Sequence, residues 1–444
     1  MRHGISTYNV LRRVQGHCDE SNLTEEGRVA ASKVGVTLQG LPFAAAYSSP
    51  LQRAKETAEL IMANLGDSAP ASGLQFTDLL KEINLAEWEG LEFDAIAEQD
   101  PERYRIWRDR PHTLTMVQDT PSGPVEFFPV VDLYEQAKTF WQKVIPNHDG
   151  DTILVVAHSA INRALISTAI GLDVTGYKSF YQANCGINVI NFSGGWDQPA
   201  QLESVNQVTH LGNPFPAFRG KHGGIRMLLV RHGETDWNRQ KKFQGQIDVP
   251  LNPEGRSQSG RAAAFLKDVP IDRAVTSPML RPKETAEIIL SGRNLTLELD
   301  DNLKEISHGL WEGKLESEIE EIYATELDQW KRSPHLVQMP EGENLDQVWE
   351  RAIAAWQAIV ASTPVTPGQV TTVMVVAHDA INKAILCHLI GFGPDAFWTF
   401  KQGNGSVSVI DYAGGATAQP LLQSINITSH LSAGVLDQTA AGAL

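Results

Sequence analysis

The same ordered set of polar and charged residues occurs twice in this chain of 444 residues, 220 to 229 positions apart. Each copy has an Arg-His-Gly triplet, a Ser-Pro-x-x-Arg segment, a Glu before a Trp-Glu-Gly triplet, and a His after Val-Val-Ala. The members are Arg2, His3, Arg53, Glu82 and His158 in the first copy, and Arg231, His232, Arg281, Glu305 and His378 in the second. A spacing of this size is that of a whole domain and not of a solenoid repeat. The sequence therefore predicts two tandem domains that arose by duplication.

The extent of the two copies places the domain boundaries. Residues 1–212 form the first predicted domain and residues 225–444 the second. Residues 213–224 between them are rich in Pro and Gly and have no helical or strand period, which is typical of a linker. The first motif begins at Arg2, so the strand that precedes Arg231 in the second copy has no counterpart. Because its loss would leave apolar faces and backbone groups uncovered, we expect the native protein to begin upstream of Met1.

Apolar runs alternate with helical segments of ten or more residues in both copies. Runs such as 226–230, 372–376 and 407–410 are apolar over most of their length, which indicates strands buried on both faces. The pattern predicts an α/β fold, with two tandem three-layer α/β/α domains that each have a mostly parallel central sheet. Functional groups gather beyond the carboxyl ends of such strands, where the Arg-His-Gly triplets and the later histidines lie.

Helix starts are also marked in the sequence. Asn252 and Ser277 each precede a proline, and Ser49 repeats the arrangement in the first copy. Ser, Thr, Asp and Asn favour the N-cap, and proline favours the first helical position. We therefore expect all three residues to cap helices, with even odds that the Ser277 hydroxyl has a further role.

Composition excludes several classes of protein. Hydrophobic residues make up 42% of the chain and charged residues 20%, which is sufficient for two packed cores. The net charge of -16 argues against a nucleic-acid or anionic-membrane partner. Three widely separated cysteines indicate neither a disulfide framework nor a cysteine metal site. With no apolar run of about 20 residues and no signal-peptide pattern, we expect a cytoplasmic protein; the sequence makes no prediction of oligomeric state.

Two arginines, two histidines and a glutamate suit phosphoryl transfer. A neutral imidazole is a nucleophile towards phosphorus, and guanidinium groups match phosphate oxygens. We predict that His232 is the nucleophile and that Arg231, Arg281 and His378 bind the transferred group. Glu305 is predicted to protonate the leaving oxygen and then to activate water, with its pKa raised by burial. This scheme requires no metal and no cofactor.

The first copy carries the same groups, with His3 as nucleophile, Arg2, Arg53 and His158 as phosphate ligands, and Glu82 for proton transfer. Three further residues are predicted substrate contacts. They are Asn238, Gly233, whose missing side chain lets the backbone pass close to a ligand, and Asn9 in the first copy. The amides of the helix after Ser277 are expected to face an anion. By contrast, Trp311 is interpreted as a packing residue and His308 as an exposed loop residue.

The motifs of the two copies resemble those of the histidine phosphatase superfamily, also called the phosphoglycerate mutase-like family. The second copy carries the matching motifs, which are residues 228–235, residues 248–255, and Arg281 with Thr285. The resemblance covers nearly the whole chain. It implies a phosphohistidine enzyme that uses His232 and the four groups assigned with it, acting either by hydrolysis or by mutase transfer.

Hydrolysis is favoured, because about 64 residues separate Gly313 from His378 and include no long basic insertion of the mutase type. The His-x-Ala-Ile-Asn segments that begin at His158 and His378 resemble two-domain phosphatases of photosynthetic lineages. The first copy departs from the family pattern at Ile5, which stands where the second has Glu234, and at residues 127–130. Three hypotheses remain: a phosphatase acting on a small phosphorylated metabolite such as a sugar or sugar-acid phosphate, a phosphoglycerate mutase, or a regulatory protein that binds phosphorylated ligands.

Overall fold

The computed structural model describes residues 1–220, 222–432 and 434–440. These residues divide into two compact units. Unit 1 contains Met1–Gln201 and Asn206–Asn213, and unit 2 contains Leu202–Val205 and the chain from Pro214 onward. The segment Leu202–Val205 thus belongs to unit 2, although the sequence places it within residues 1–212. The exact limits of the two domains and of the linker at 213–224 stay a prediction.

Unit 1 combines strands and helices in alternation, and its fold follows the predicted α/β class. Its elements in chain order are α1 (Thr7–Val10), α2 (Glu25–Thr37), β1 (Phe43–Ser48), α3 (Gln52–Asn64), β2 (Leu74–Phe76), α4 (Phe93–Gln99), α5 (Pro101–Asp109), β3 (Met116–Thr120), β4 (Gly123–Phe127), α6 (Pro129–Val144), β5 (Thr152–Val156), α7 (Ser159–Ala169), β6 (Ile187–Asn191) and β7 (Gln201–Gln207).

The parallel sheet of unit 1 has the strand order β2-β1-β5. Ala46 in β1 pairs with Leu74 in β2 on one side and with Leu154 in β5 on the other. Beyond β5, Arg2 forms a single parallel bridge with Ala157. Helix α2 packs against α3, and α6 packs against α7. The antiparallel hairpin β3-β4 is separate from this sheet.

Unit 2 has the same alternation with a longer central strand. Its elements are β8 (Gly224–Arg231), α8 (Asp236–Gln240), α9 (Pro253–Phe265), β9 (Arg273–Thr276), α10 (Leu280–Ile289), β10 (Leu297–Leu299), α11 (Glu316–Arg332), α12 (Leu345–Ser362), β11 (Val370–Ala377), α13 (Asp379–Leu389), β12 (Val407–Ala413) and β13 (Leu421–Ile427).

The unit 2 sheet runs β10-β9-β11-β8-β12-β13. The first four strands are parallel, and β12 and β13 are antiparallel to their neighbours. Residues in β8 are buried on both faces, and Leu228 and Val230 share a core cluster with Ala262 of α9 and Ala286 of α10. The predicted fold class is confirmed, because the apolar runs 226–230, 372–376 and 407–410 lie in these central strands.

A buried ion pair joins two of the unit 2 strands. Arg226 in β8 and Asp411 in β12 are direct cross-strand partners, and the guanidinium donates through Nε and Nη2 to the two carboxylate oxygens at 2.8 and 2.7 Å. The Phe215 and Phe218 rings cover the guanidinium, with centroids 5.1 and 5.7 Å away. The pair satisfies a charge that the apolar sheet would otherwise leave unpaired.

The predicted helix starts are confirmed at one position and wrong at two. Asn252 caps α9, with Pro253 at its first turn, and its side chain accepts a hydrogen bond from the Gly255 amide at 2.8 Å. Ser277 and Ser49 are not N-caps, because α10 and α3 begin three residues later and are preceded by Met279 and Leu51. The serines instead end the preceding strands, where they meet the later histidines.

In the described part of the chain, no helix combines the length and the apolarity needed to cross a membrane.

Candidate active site

Adjacent parallel strands bring the two histidines of each unit together. In unit 2, Ala377 at the end of β11 pairs with Arg231 at the end of β8, so the next residues on the two strands are His378 and His232. Their ring centroids lie 5.2 Å apart with the ring planes at 66°. In unit 1, His3 and His158 lie 5.2 Å apart at 63°. The convergence expected from the sequence is therefore present in both units.

His232 is held in one tautomer. Its Nδ1 lies 2.7 Å from the Gly233 carbonyl oxygen, and a carbonyl can only accept, so Nδ1 carries the proton. The Nε2 lone pair then faces the Arg281 Nε, which donates to it at 3.3 Å. Burial lowers the pKa of His232 well below its usual range, and the charges of Arg281 and Arg231 lower it further. The ring is thus neutral, as a nucleophile must be.

Unpartnered donors surround this nitrogen. Arg281 lies in the first turn of α10, is fully buried and donates through Nη2 to the Gly245 carbonyl at 2.9 Å. Its Nη1, the Nε of Arg231 and the Nδ1 of His378 are buried and have no hydrogen-bond partner within the described residues. Since buried polar groups are rarely left unpaired, three such atoms on residues that neighbour His232 indicate an anion site.

His378 is oriented by Ser277, which was predicted chiefly as a helix cap. Its Nε2 lies 3.0 Å from the Ser277 hydroxyl, and in unit 1 the His158 Nε2 lies 2.8 Å from the Ser49 hydroxyl. The first amide of α10, that of Leu280, is not free for an anion, because it donates to the Asp248 carboxylate at 2.8 Å. The prediction that the amides of this helix start face an anion is therefore wrong for the Leu280 amide.

Glu305 is the buried acid of unit 2. Its side chain is 3% exposed, and Oε1 accepts a hydrogen bond from the Ile306 amide at 3.0 Å. Burial, and after it the Asp379 carboxylate, raise its pKa from 4.5 to about 7, while Arg281 opposes the rise. The predicted direction of the pKa change is confirmed. A carboxyl group with this pKa can both give and take a proton near neutral pH.

The charged neighbours of Arg231 were not predicted as part of the site. Asp379 opens α13, is buried, and lies 3.4 Å from the Arg231 Nη1 and 2.6 Å from the Lys383 Nζ. The Lys383 ammonium is also buried and lies 4.6 Å from the Trp398 ring centroid. An Asp and a Lys four residues apart in a largely apolar helix were the signal in the sequence. Unit 1 has Ser159 at the position of Asp379.

Unit 1 assembles the equivalent groups. Its His3 also directs Nδ1 to a following carbonyl, that of Gly4, at 2.7 Å, and burial lowers the pKa of His3 well below its usual range. Arg53 is fully buried, donates to the Gly16 and Cys18 carbonyls at 2.8 and 2.9 Å, and has an Nε without a partner among the described residues. Arg2 donates to the Gln182 carbonyl at 2.9 Å.

Glu82, the remaining member of unit 1, differs from Glu305 in its surroundings. Glu82 is half-buried, and its carboxylate contacts the amides of the first turn of helix α7. Its Oε1 accepts from the amides of Ile83, Ala160 and Ile161 at 3.0, 3.0 and 3.1 Å, and its Oε2 lies 3.2 Å from the Ala160 amide. The two units thus present their glutamates in different hydrogen-bonding states.

The three predicted substrate contacts are engaged in local structure. Asn238 accepts hydrogen bonds from the Thr235 amide and hydroxyl at 3.1 and 3.0 Å, and Asn9 does the same for Ser6 at 3.1 and 3.1 Å. A side chain at Gly233 would place Cβ 2.4 Å from the Gly255 carbonyl oxygen, so close backbone packing explains this glycine. Their contact with substrate stays a prediction.

Two aromatic positions near the site are buried. Trp311 packs edge-on against Phe243 with centroids 5.5 Å apart, and is 0% exposed, which confirms its packing role. His308 is also 0% exposed and lies between Phe243 and Trp330, so the expectation of an exposed loop residue is wrong. Burial lowers the pKa of His308 to about 3 and keeps the ring neutral. Across the described ranges, no three His, Cys, Asp or Glu side chains are grouped to hold a metal ion.

Comparison with known proteins gives a consistent result. The family model "Histidine phosphatase superfamily (branch 1)" matches residues 1–205 and 227–426. The 2-carboxy-D-arabinitol-1-phosphatase of Triticum aestivum is 29% identical over 441 residues, which cover 97% of this chain and 86% of the relative. Phosphoserine phosphatase 1 of Hydrogenobacter thermophilus is 32% identical over 47% of this chain and 94% of its own. A solved structure, Bacillus stearothermophilus YhfR, is 32% identical and covers 47% of this chain and 100% of its own, with a TM-score of 0.44.

The family match spans both copies of the motif, which confirms the resemblance drawn from the sequence. The chain therefore belongs to branch 1 of the histidine phosphatase superfamily and is a phosphoric monoester hydrolase of that family.

Proposed function

We propose that unit 2 hydrolyses a small phosphorylated sugar or sugar acid through a phosphohistidine on His232. The observation that carries this proposal is the neutral His232 ring, whose Nε2 lone pair faces Arg281 beside three buried donor atoms that have no partner among the residues the structure describes. These donors match the oxygens of a phosphoryl group in number and charge.

The reaction has two steps. In the first, the His232 Nε2 attacks phosphorus, the P–N bond forms, and the P–O ester bond breaks. Glu305, whose pKa is raised to about 7, gives its proton to the departing alcohol oxygen. In the second, Glu305 takes a proton from water, the water oxygen bonds to phosphorus, and the P–N bond breaks to release inorganic phosphate. Arg231, Arg281 and His378 bind the transferred oxygens throughout.

The substrate class is supported by the relatives. The 2-carboxy-D-arabinitol-1-phosphatase of Triticum aestivum aligns over nearly the whole chain, including both units, and its name states a phosphorylated sugar acid. A compound of this kind has an alkyl oxygen as its leaving group, which requires protonation. The raised pKa of Glu305 suits that requirement.

The test is phosphate release from a panel of phosphorylated sugars and sugar acids in the presence of a chelator. Wild type is compared with His232→Ala and with the matched unit 1 variant His3→Ala. We expect His232→Ala to lose release from the best substrate and His3→Ala to keep it. Rapid quench should trap an acid-labile phosphoenzyme in His3→Ala. Isomerisation without phosphate release, or binding without turnover, would support the mutase or the regulatory hypothesis instead.

A further inference from the structure

A buried acid and a buried amine lie beside the phosphate ligands of unit 2 and are replaced in unit 1. Asp379 opens α13 directly after His378, and Lys383 follows one turn later. Both side chains are buried, with exposures of 1% and 4%. At the equivalent positions unit 1 has Ser159 and Arg163. The carboxylate is therefore a difference between two sites that share the same histidines, arginines and glutamate.

The Asp379 carboxylate joins two cations. Its Oδ1 lies 3.4 Å from the Arg231 Nη1, and its Oδ2 lies 2.6 Å from the Lys383 Nζ. The Lys383 ammonium packs over the Phe397 and Trp398 rings, 5.0 and 4.6 Å from their centroids. Burying an acid and an amine is unfavourable unless their charges are paired, and here each is a partner of the other. The lysine thus holds the carboxylate in place beside Arg231.

Unit 1 shows that the helix does not need this pair in order to form. There the Arg163 guanidinium packs over the Tyr177 ring, 5.6 Å from its centroid, and Tyr177 stands at the position of Phe397. Helix α7 and its aromatic neighbour are thus present without an acid at the helix start. Since a buried ion pair is often no more stabilising than uncharged packing, a pair placed next to a phosphate ligand indicates a role in the site.

The contact with Asp379 bears on the direction of the Arg231 guanidinium. Its Nη1 donates to the Gln402 carbonyl at 2.5 Å and also faces the Asp379 carboxylate, so two acceptors hold one end of the group. A guanidinium is planar and rigid, and fixing Nη1 therefore fixes the direction of Nε as well. The Arg231 Nε is buried and has no hydrogen-bond partner among the described residues. This nitrogen is thus a donor left for a phosphoryl oxygen.

We propose that Asp379 is a positioning residue of unit 2: anchored by Lys383, its carboxylate holds Arg231 so that Nε meets the transferred phosphoryl group. The proposal rests on the phosphoryl transfer proposed above for this unit. Asp379 acts through Arg231 and does not itself touch the reacting atoms. In unit 1, Arg2 donates to the Gln182 carbonyl at 2.9 Å, and Ser159 offers it no carboxylate.

The same carboxylate acts on the proton donor Glu305. Charged groups face Glu305 from four elements, namely Arg231 of β8, Arg281 of α10, Arg351 of α12 and Asp379 of α13. Arg351 donates to the Glu305 backbone carbonyl at 3.0 Å and is itself paired with Glu343 at 2.8 Å. After burial, the Asp379 charge is the next cause that raises the pKa of Glu305 to about 7. Removing that charge should lower this pKa, so Glu305 would lose its proton at a lower pH.

The test uses Asp379→Asn, which keeps the shape of the side chain and removes its charge, in a His3→Ala background that leaves turnover to unit 2. Orthovanadate mimics the transferred phosphoryl group, and its inhibition constant is measured against hydrolysis of the best sugar phosphate of the panel. We expect Asp379→Asn to weaken vanadate inhibition about 10–100-fold, and to lower kcat by a similar factor with a smaller change in KM. A carboxylate that merely added negative charge would repel the anion, so its removal would tighten inhibition.

The pH dependence of kcat/KM gives a second readout. Glu305 must hold its proton in the first step, so kcat/KM should fall as the pH rises through the pKa of Glu305. Asp379→Asn should move this alkaline limb to lower pH, whereas a purely structural residue at the helix start would leave the limb in place. The matched control is Glu298→Gln, which removes a carboxylate paired with Arg273 at 2.7 Å and should change neither readout.

Folding of each variant is checked by thermal unfolding. If Asp379→Asn does not fold, the double variant Asp379→Ser with Lys383→Arg places the unit 1 pair in α13, and the same weaker inhibition and shifted limb are expected. Vanadate inhibition that is unchanged or tighter, or an alkaline limb that does not move, would overturn the positioning role while leaving the function of unit 2 intact. If the His3→Ala protein itself released no phosphate from the panel, the proposed function would fall, and the role of Asp379 with it.

Discussion

Replacing Glu305 by Gln should stabilise unit 2 at neutral and alkaline pH while removing most of its activity. The pKa of Glu305 lies at about 7 in the folded protein against an ordinary value of 4.5, because burial and the Asp379 carboxylate disfavour the ionised form. At 1.36 kcal/mol for each tenfold change in the dissociation constant, this difference corresponds to about 3 kcal/mol.

The sign follows from proton binding. Between pH 4.5 and about 7 the folded state holds a proton at Glu305 that the unfolded state has released, so stability falls as the pH rises through this window. Below pH 4.5 both states are protonated and Glu305 carries no penalty. The Gln side chain never ionises. The free energy of unfolding of the variant should therefore exceed that of wild type by about 1 kcal/mol at pH 5 and by about 3 kcal/mol at pH 8.

The assay is differential scanning calorimetry of wild type and Glu305→Gln at these two pH values. For a unit of this size, 1 kcal/mol corresponds to about 2–4 °C, so the gain in Tm should be about 5–10 °C larger at pH 8 than at pH 5. Hydrolysis of alkyl phosphates by the variant should fall about 10²–10⁴-fold. Each unit should be followed by its own transition, since two units need not unfold together.

The matched control is Glu298→Gln. Its carboxylate forms a half-exposed pair with Arg273 at 2.7 Å, which lowers the pKa of Glu298. Loss of that pair should cost at most about 1 kcal/mol above pH 4.5, opposite in sign to the effect at Glu305. If the difference in Tm between Glu305→Gln and wild type were the same at both pH values, the assignment of a buried, neutral acid at this position would be refuted.

Three further predictions concern stability of unit 2. Asp411→Ala leaves the Arg226 guanidinium buried without its partner and should cost about 3–5 kcal/mol in denaturant unfolding, whereas replacing both residues by apolar ones should cost less. Asn252→Ala removes the cap of α9 and should cost about 1 kcal/mol, with Asn252→Ser as the control that keeps a capping oxygen; Asn252→Asp is unsuitable because the Asn252 Nδ2 donates to the buried Glu234 carboxylate at 2.8 Å. Gly233→Ala forces a Cβ against the Gly255 carbonyl and should cost about 1–3 kcal/mol, measured as a lower unfolding midpoint; an unchanged midpoint would contradict the close packing.

Much of the fold was accessible from the sequence because apolar periodicity reports directly on burial. The runs that became β8, β11 and β12 are apolar since both faces of the sheet are covered, and the short α9 cap is a local interaction between residues three apart. The prediction that Ser277 caps a helix was wrong because it, too, rested on local sequence alone. Its Ser-Pro pair has the local chemistry of a helix cap, but the strand-to-helix turn is longer than the pair suggests, and the hydroxyl meets His378 from a distant strand.

The sequence by itself determined the two units, the α/β class and the identity of the paired histidines, arginines and glutamates, because duplication preserved their order and strand ends collect functional groups. Only the tertiary structure decided how those groups behave. Burial of Glu305 beside Asp379, and the amides of α7 that hold Glu82, arise from residues up to about 80 positions apart. The hydrogen-bond partners of a carboxyl group depend on what surrounds it in space, so two nearly identical motifs carry glutamates with different partners.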